Sequence, residues 1–240
     1  MQDFDAFRKS RYVSLPLWGR GKLVWRIMRK LFFYNALIQK FYKTQLSHRL
    51  GFYAGWDDLR ESHQYWPQAK PQIQALFVPN DDVKQPIDRV FTDIKLGGGK
   101  IVGVHIRRED YKTAYGGIYY YDDEVFIGYM KQMEALLPGC QFYISSNEKI
   151  SPKYKELFQL VETPVHSAVG DLYALSQCDY IIGPPSTFNC WASFVGDVPL
   201  FTMFKPDTTL TLGSFAVMRD EIYKEWLSKH NKECYNQTSN

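Results

Sequence analysis

Metal and disulfide signatures are missing from this 240-residue chain. Its four cysteines, Cys140, Cys178, Cys190 and Cys234, show no CxxC spacing. That argues against a zinc ribbon and a disulfide scaffold and suits a reducing compartment. The five histidines, His48, His63, His105, His166 and His230, form neither HExxH nor HxH, so no metal is expected. No uninterrupted apolar run approaches the ~18 residues of a membrane-spanning helix. The opening MQDFDAFRKS lacks an apolar h-region, so no secretory signal is expected. Neither a Walker A loop nor GxGxxG occurs, which sets aside P-loop NTPase and dinucleotide dehydrogenase chemistry.

What is present is an ordinary globular composition with an uneven charge. The net charge is only +3, yet residues 1–50 hold 11 Lys/Arg against 2 acidic residues, while the remainder is net acidic. Such a split suggests that the first fifth faces something anionic. Within it, Gly21 to Thr44 reads as an amphipathic helix, with Val24, Ile27, Met28, Leu31, Tyr34, Ile38 and Phe41 near the helical period. Two readings stand: a basic helix lying on an anionic membrane surface, or a core helix with a basic solvated face. A short helix is expected near Pro71–Phe77, a polar turn at Asn80–Lys84 and a flexible break at Gly97-Gly98-Gly99. The break divides a helix-rich N-terminal region, 1–97, from a second domain, 98–240.

From Lys100 strands and helices alternate. Strands are expected at 101–106, 141–145, 159–162, 180–183 and 198–203. Helices are expected at 123–137 (capped by Asp122 or Asp123), 152–158, 171–177 (capped by Asp171) and about 187–195, with a terminal helix in Arg219–His230. Alternation of this kind predicts an α/β fold with a Rossmann-like, doubly wound parallel sheet.

Two blocks carry chemistry. Val102–Tyr111, VGVHIRREDY, begins as a β-branched strand and ends in His105, Arg107, Arg108, Glu109, Asp110 and Tyr111. Ligands bind beyond the carboxyl ends of strands in open α/β sheets. Planar guanidinium forks there suit a diphosphate, and the competing reading is arginines salt-bridged to Glu109 and Asp110. In Gly170–Trp191 a strand ends at Gly183 and Ser186-Thr187 opens a helix, whose free amides make an anion site. Together the blocks describe a diphosphate held by arginine and helix dipole, as a metal-independent nucleotide-sugar transferase requires.

His105-Ile-Arg107-Arg108-Glu-Asp110-Tyr111 resembles the HxRRxDY motif of α1,2-fucosyltransferases and their α1,6- and protein O-fucosyltransferase relatives. Asp171-Leu-Tyr-Ala-Leu-Ser, followed by Ser186-Thr187-Phe188 and Trp191, resembles the third motif of that family. Ser145-Ser146-Asn147-Glu148 sits where the family commonly has Phe-Ser-Asp-Asp. The resemblance covers about residues 100–205 and implies a GT-B-like fold and inverting transfer, without metal or other cofactor, from a GDP-sugar, typically GDP-fucose. It implies that Arg107 and Arg108 hold the diphosphate and that Ser186 and Thr187 meet the β-phosphate. His105 and Asp171 would line the nucleoside pocket, with Ser145 and Phe188 beside them, and Asp110 would order the arginine loop.

Three positions depart from the family pattern. Glu109 replaces a glycine, which strains the loop if that glycine had positive φ. Pro184-Pro185 precedes Ser-Thr where the family has Asn-Ser-Ser. The family's Gly-Gly-Leu-Gly-Asn-Gln-like strand-turn-helix is not found, so the acceptor half is expected to be short.

Catalysis is expected at Arg108, Glu109 and Asp110, with Glu109 the freer carboxylate and His63 and Glu61 competing as base. The expected partners are a nucleotide-sugar donor and a glycan or lipid-linked glycan acceptor, at the cytoplasmic inner face of a membrane. Two other classes compete. A non-catalytic nucleotide- or glycan-binding module would not leak GDP from GDP-fucose in water, whereas a transferase would. Nucleic-acid binding through the basic first 50 residues lacks any recognisable RNA or DNA motif and is not expected.

Overall fold

A computed structural model describes residues 66–218. The basic helix expected in 21–44 and the terminal helix expected in 219–230 lie outside the described residues, as do His63 and Glu61.

Among the described residues the order is α1 (Trp66–Leu76), α2 (Asp81–Leu96), β1 (Ile101–Ile106), α3 (Asp123–Leu136), β2 (Gln141–Ser146) and α4 (Lys153–Leu157). There follow α5 (Ala168–Ser176), β3 (Tyr180–Gly183), α6 (Thr187–Gly196), β4 (Pro199–Thr202) and β5 (Ala216–Val217). The strands form one sheet in the order β2-β1-β3-β4-β5. β1 runs parallel to β2 and β3, β3 is parallel to β4, and β5 closes the edge antiparallel to β4. The chain leaves β1 toward β2 and later returns to β1's other side as β3. The winding of this doubly wound sheet therefore reverses between β1 and β3.

β1 is buried along its whole length, as a parallel strand covered on both faces must be. Alternation sends Val102, Val104 and Ile106 into the cluster with Phe126, Met130 and Met133 of α3. Gly103 faces the other side: a Cβ there would stand 2.7 Å from a Leu175 methyl and 3.0 Å from Cys178 Sγ, so α5 needs glycine at this crossing. Cys140, Cys178 and Cys190 are buried free thiols, and burial pushes Cys140 up to about 11 and Cys190 up to about 12.

Four local expectations change. The polar stretch Asn80–Lys84 is no turn. It is the cap and first turn of α2, where Asp81 and Asp82 complement the helix dipole. α2 buries Val83, Ile87 and Phe91, and its Asp88 accepts from Tyr173 at 2.7 Å. The expected strand 159–162 is reduced to one bridge, Leu160 with Phe142. The sheet's fifth strand is instead the antiparallel β5. Finally, α5 starts at Ala168 because Ser167 caps it by accepting from Gly170 N. That frees Asp171 for another use. At α3, by contrast, Asp122 is the cap, accepting from Val125 N at 3.1 Å.

The segment after β1 winds through short 3-10 turns at Glu109–Lys112 and Ala114–Gly117. Glu109 has ordinary negative φ, so replacing a glycine there costs no strain. The unusual backbone is at Tyr115 (φ 54, ψ 31), followed by Gly116 and Gly117 at φ 67 and 80. For a tyrosine the left-handed region costs about 1–2 kcal/mol.

Candidate functional site

A cavity of about 900 Å³ opens at the carboxyl ends of β1 and β2. His105 and Arg107 reach it from β1, Tyr143 and Ser145 from β2, Asp171 from α5 and Phe188 from α6. Residues 105 and 107 share one side of the emerging strand, the side opposite the α3 cluster.

His105 is 3% exposed, and its ring lies 5.0 Å from that of Phe188 at 34°. Its Nδ1 has no hydrogen-bond partner. Burial, then the nearby Arg107 charge, lowers its pKa from 6.5 to about 3. The imidazole is thus neutral at ordinary pH, and its Nδ1 is buried without a hydrogen-bond partner. Because the folded pKa lies below the unfolded one, unfolding takes up a proton between these values. Stability is accordingly expected to fall as pH drops from about 6.5 toward 3, and to lose this component in His105→Gln. Urea unfolding at successive pH values measures it; parallel pH profiles for the two proteins would refute it.

Asp171 sits in the first turn of α5 and takes one bond at each oxygen: Tyr143 Oη donates at 2.9 Å and Ser145 Oγ at 3.0 Å. Burial raises its carboxyl above the usual range, against the pull of those two donors. Each oxygen keeps acceptor capacity toward the cavity. An anchored carboxylate of this kind can read paired N–H donors on a base edge.

The two adjacent arginines part company. Arg107 is one-third exposed and lines the cavity. Its Nε and Nη2 donate to the two oxygens of Asp110 at 2.8 and 3.0 Å, and its guanidinium lies 6.0 Å from the Tyr111 ring centre. That bidentate bond from Arg107 holds the Asp110 carboxyl below its ordinary range. Three of the five guanidinium N–H donors remain for a ligand.

Arg108 turns the other way, toward α3, and does not line the cavity. Its Nε donates to Tyr121 O at 2.9 Å, Nη1 to Glu148 at 3.0 Å and Nη2 to Asp123, all over the face of Phe126. Burial pushes the Asp123 carboxyl up, but the bonds from Arg108 and Tyr154 outweigh it and hold the group low. The salt-bridge reading therefore describes Arg108, with partners Asp123 and Glu148 in place of Glu109 and Asp110. For Arg107 the partner is Asp110.

Glu109 is exposed and outside the cavity lining; Asn147 Nδ2 approaches it at 3.4 Å, while Asn147 Oδ1 accepts from Arg108 N at 3.1 Å. Ser186 caps α6 by accepting from Phe188 N at 3.2 Å, and Thr187 is exposed. Neither hydroxyl-bearing residue lines the cavity; Phe188 does. The turn is tethered to the arginine loop by Tyr111 Oη, which donates to Pro185 O. Its approach to β1 depends on Gly183, where a Cβ would lie 2.5 Å from Asn189 Nδ2 and 3.1 Å from His105 Cβ. Asn189 is wholly buried, donating to Pro184 O at 2.9 Å.

Tyr143 and Asn189 organise this site without a sequence signal, and Asp123, a candidate cap in the sequence, serves instead as a partner of Arg108. Asn147 and Glu148 had a signal, as part of the block aligned with Phe-Ser-Asp-Asp. Among the described residues no group of three or more His, Cys, Asp or Glu could hold a metal ion, and no helix is long and apolar enough to cross a membrane.

The model of glycosyl transferase family 11 matches residues 20–226. Among curated proteins none matches. A solved structure with similarity to the chain is a mutant of Arabidopsis thaliana FUT1 in complex with GDP. Its identity is 17% and its TM-score 0.42, over 68% of this chain and 43% of that one. The chain thus spans less than half the length of that protein.

Proposed function

This chain belongs to glycosyl transferase family 11, and we propose that it moves a sugar, fucose, from a GDP-sugar to a glycan hydroxyl, with inversion and without a metal. The observation that carries this reading is the meeting of His105, Arg107 and Asp171 in one cavity at the carboxyl ends of the strands. Two motif blocks some 60 residues apart in the sequence converge there, as a GT-B-type donor site requires.

In this reading Asp171, anchored by Tyr143 and Ser145, accepts from the guanine edge. Neutral His105 and the ring of Phe188 contact the nucleoside. Arg107 binds the diphosphate and stabilises the charge that grows on it as the sugar leaves. The capped start of α6, at Ser186 and Thr187, adds its dipole. Glu109 is the candidate base, because Asp110 is committed to Arg107. The acceptor would be a glycan or lipid-linked glycan, and the basic first 50 residues suit an anionic membrane surface on the cytoplasmic side.

A thermal-shift panel of GDP, UDP, ADP and CDP tests the donor assignment. GDP at about 100 times its Kd is expected to add roughly 2.7 kcal/mol of stability, a rise of several degrees, with the other nucleotides far behind. Equal shifts for UDP, or none for GDP, would overturn it. Slow GDP release from GDP-fucose in water then separates a transferase from a module that binds without turnover.

A further inference from the structure

We propose that Lys149 is a second cation for the donor's diphosphate, meeting it from the β2 side of the cavity as Arg107 does from the β1 side. The proposal rests on the donor reading above, and adds to it a residue outside every motif block of the sequence.

Six Lys, Arg, Asp or Glu side chains line the cavity, and five of them are already engaged. Arg107 is bonded to Asp110, Glu148 to Arg108, Lys155 and Glu162 to each other, and Asp171 to Tyr143 and Ser145. Lys149 is the sixth. Among the described residues it has neither an ion pair nor a hydrogen bond. Its ammonium therefore keeps all three donors for a ligand.

An exposed lysine alone would mean little, but the backbone beneath this one is fixed. β1 and β2 run in register as far as Ile106 and Ser146, so Arg107 and Asn147 leave the sheet side by side. Asn147 Oδ1 then accepts from Arg108 N at 3.1 Å, and Glu148 accepts from Arg108 Nη1 at 3.0 Å. Glu148 N donates back to Ser146 Oγ at 3.2 Å. Lys149 follows directly on these anchors, and Arg107 directly precedes Arg108. The two cations are thus carried on loops tied to each other, and both face one cavity.

A sugar diphosphate carries two negative charges. As the acceptor oxygen bonds to C1 and yields its proton to the base, the C1–O bond breaks and its electron pair stays on the β-phosphate. That phosphate then holds a further charge above about pH 6. Arg107 supplies directed donors, but Asp110 already offsets its charge. Lys149 supplies the uncompensated charge, on a four-carbon stem flexible enough to follow the phosphate.

Titration of the full chain with GDP by calorimetry, and with guanosine by saturation-transfer NMR, tests this role. Lys149→Met keeps the stem and removes the charge. GDP affinity is expected to fall about 10-fold, the lower end of what a charge-assisted hydrogen bond contributes, because the site is solvated. Guanosine, which lacks the phosphates, should bind as before, and the urea midpoint should not move. Lys149→Arg should keep most of the GDP affinity. Lys155→Met, which removes the lysine already paired with Glu162, should change it by less than about 2-fold. Unchanged GDP affinity in Lys149→Met, an equal loss for guanosine, or an equal loss in Lys155→Met would overturn the assignment and leave the donor reading standing. Absence of GDP binding by the unmodified chain would overturn the donor reading itself, and the role of Lys149 with it.

Discussion

Arg107→Ala is expected to weaken GDP binding at least about 100-fold while leaving the fold as stable as before. A guanidinium that grips a diphosphate through two charge-assisted hydrogen bonds contributes about 1.5–3 kcal/mol for each, and every 1.4 kcal/mol is tenfold in affinity. Little stability should be lost, because the Arg107–Asp110 pair is exposed at both ends and such pairs contribute at most about 1 kcal/mol. Arg107→Lys should recover only part of the affinity, since an ammonium keeps the charge without the fork. Titration calorimetry with GDP, beside urea unfolding, gives both numbers. If GDP affinity survived in Arg107→Ala, the diphosphate would lie elsewhere.

The neighbouring substitution should behave in the opposite way. Arg108→Ala is expected to cost about 3 kcal/mol of folding stability, measured as a lower urea midpoint. The Arg108 side chain is 10% exposed, and its removal takes the guanidinium from Asp123 and Glu148 together and removes the bond it donates to Tyr121 O. Breaking a buried pair from one side is far more damaging than never having had it. In the unmodified protein the bond from Arg108 helps hold the Asp123 carboxyl low, a contribution lost as pH falls, so the deficit should shrink in that direction. GDP affinity of the fraction that folds should drop much less than in Arg107→Ala, because Arg108 acts on the ligand only by holding the loop. A full loss of GDP binding with an unchanged urea midpoint would reverse the two assignments. Glu148→Gln on top of Arg108→Ala should recover part of the loss, and the double-mutant cycle reads the coupling directly.

Much of the architecture could be read from local chemistry. The β-branched run of β1, the caps Asp122 and Ser186 and the alternation from Lys100 onward each express a short-range preference, and the sheet follows them. Misreadings arose where one local signal had two uses. Asn80, Asp81 and Asp82 suit a turn and equally suit the start of a helix, and the apolar side of α2 becomes decisive only when α5 is there to receive it. Asp171 could cap a helix, yet Ser167 four residues earlier takes that role once the chain has folded. The stretch 159–162 is apolar enough for a strand, but only Leu160 meets Phe142.

The run from His105 to Asp110 divides along the same line. Its residue types were sufficient to identify an anion-binding strand end, because guanidiniums, carboxylates and a buried histidine carry their chemistry wherever they are placed. Its alternation was also there to be read: neighbours on an extended chain point to opposite sides, so Arg107 and Arg108 could not both enter one cleft. What alternation alone leaves open is which side holds the cleft. That was decided by the sheet, which lays β1 between β2 and β3, covers one face with α3 and opens the crevice on the other. Packing then gave Arg108 to Asp123 and Glu148 and left Arg107 for the cavity, because a charge is buried only where opposite charges already wait.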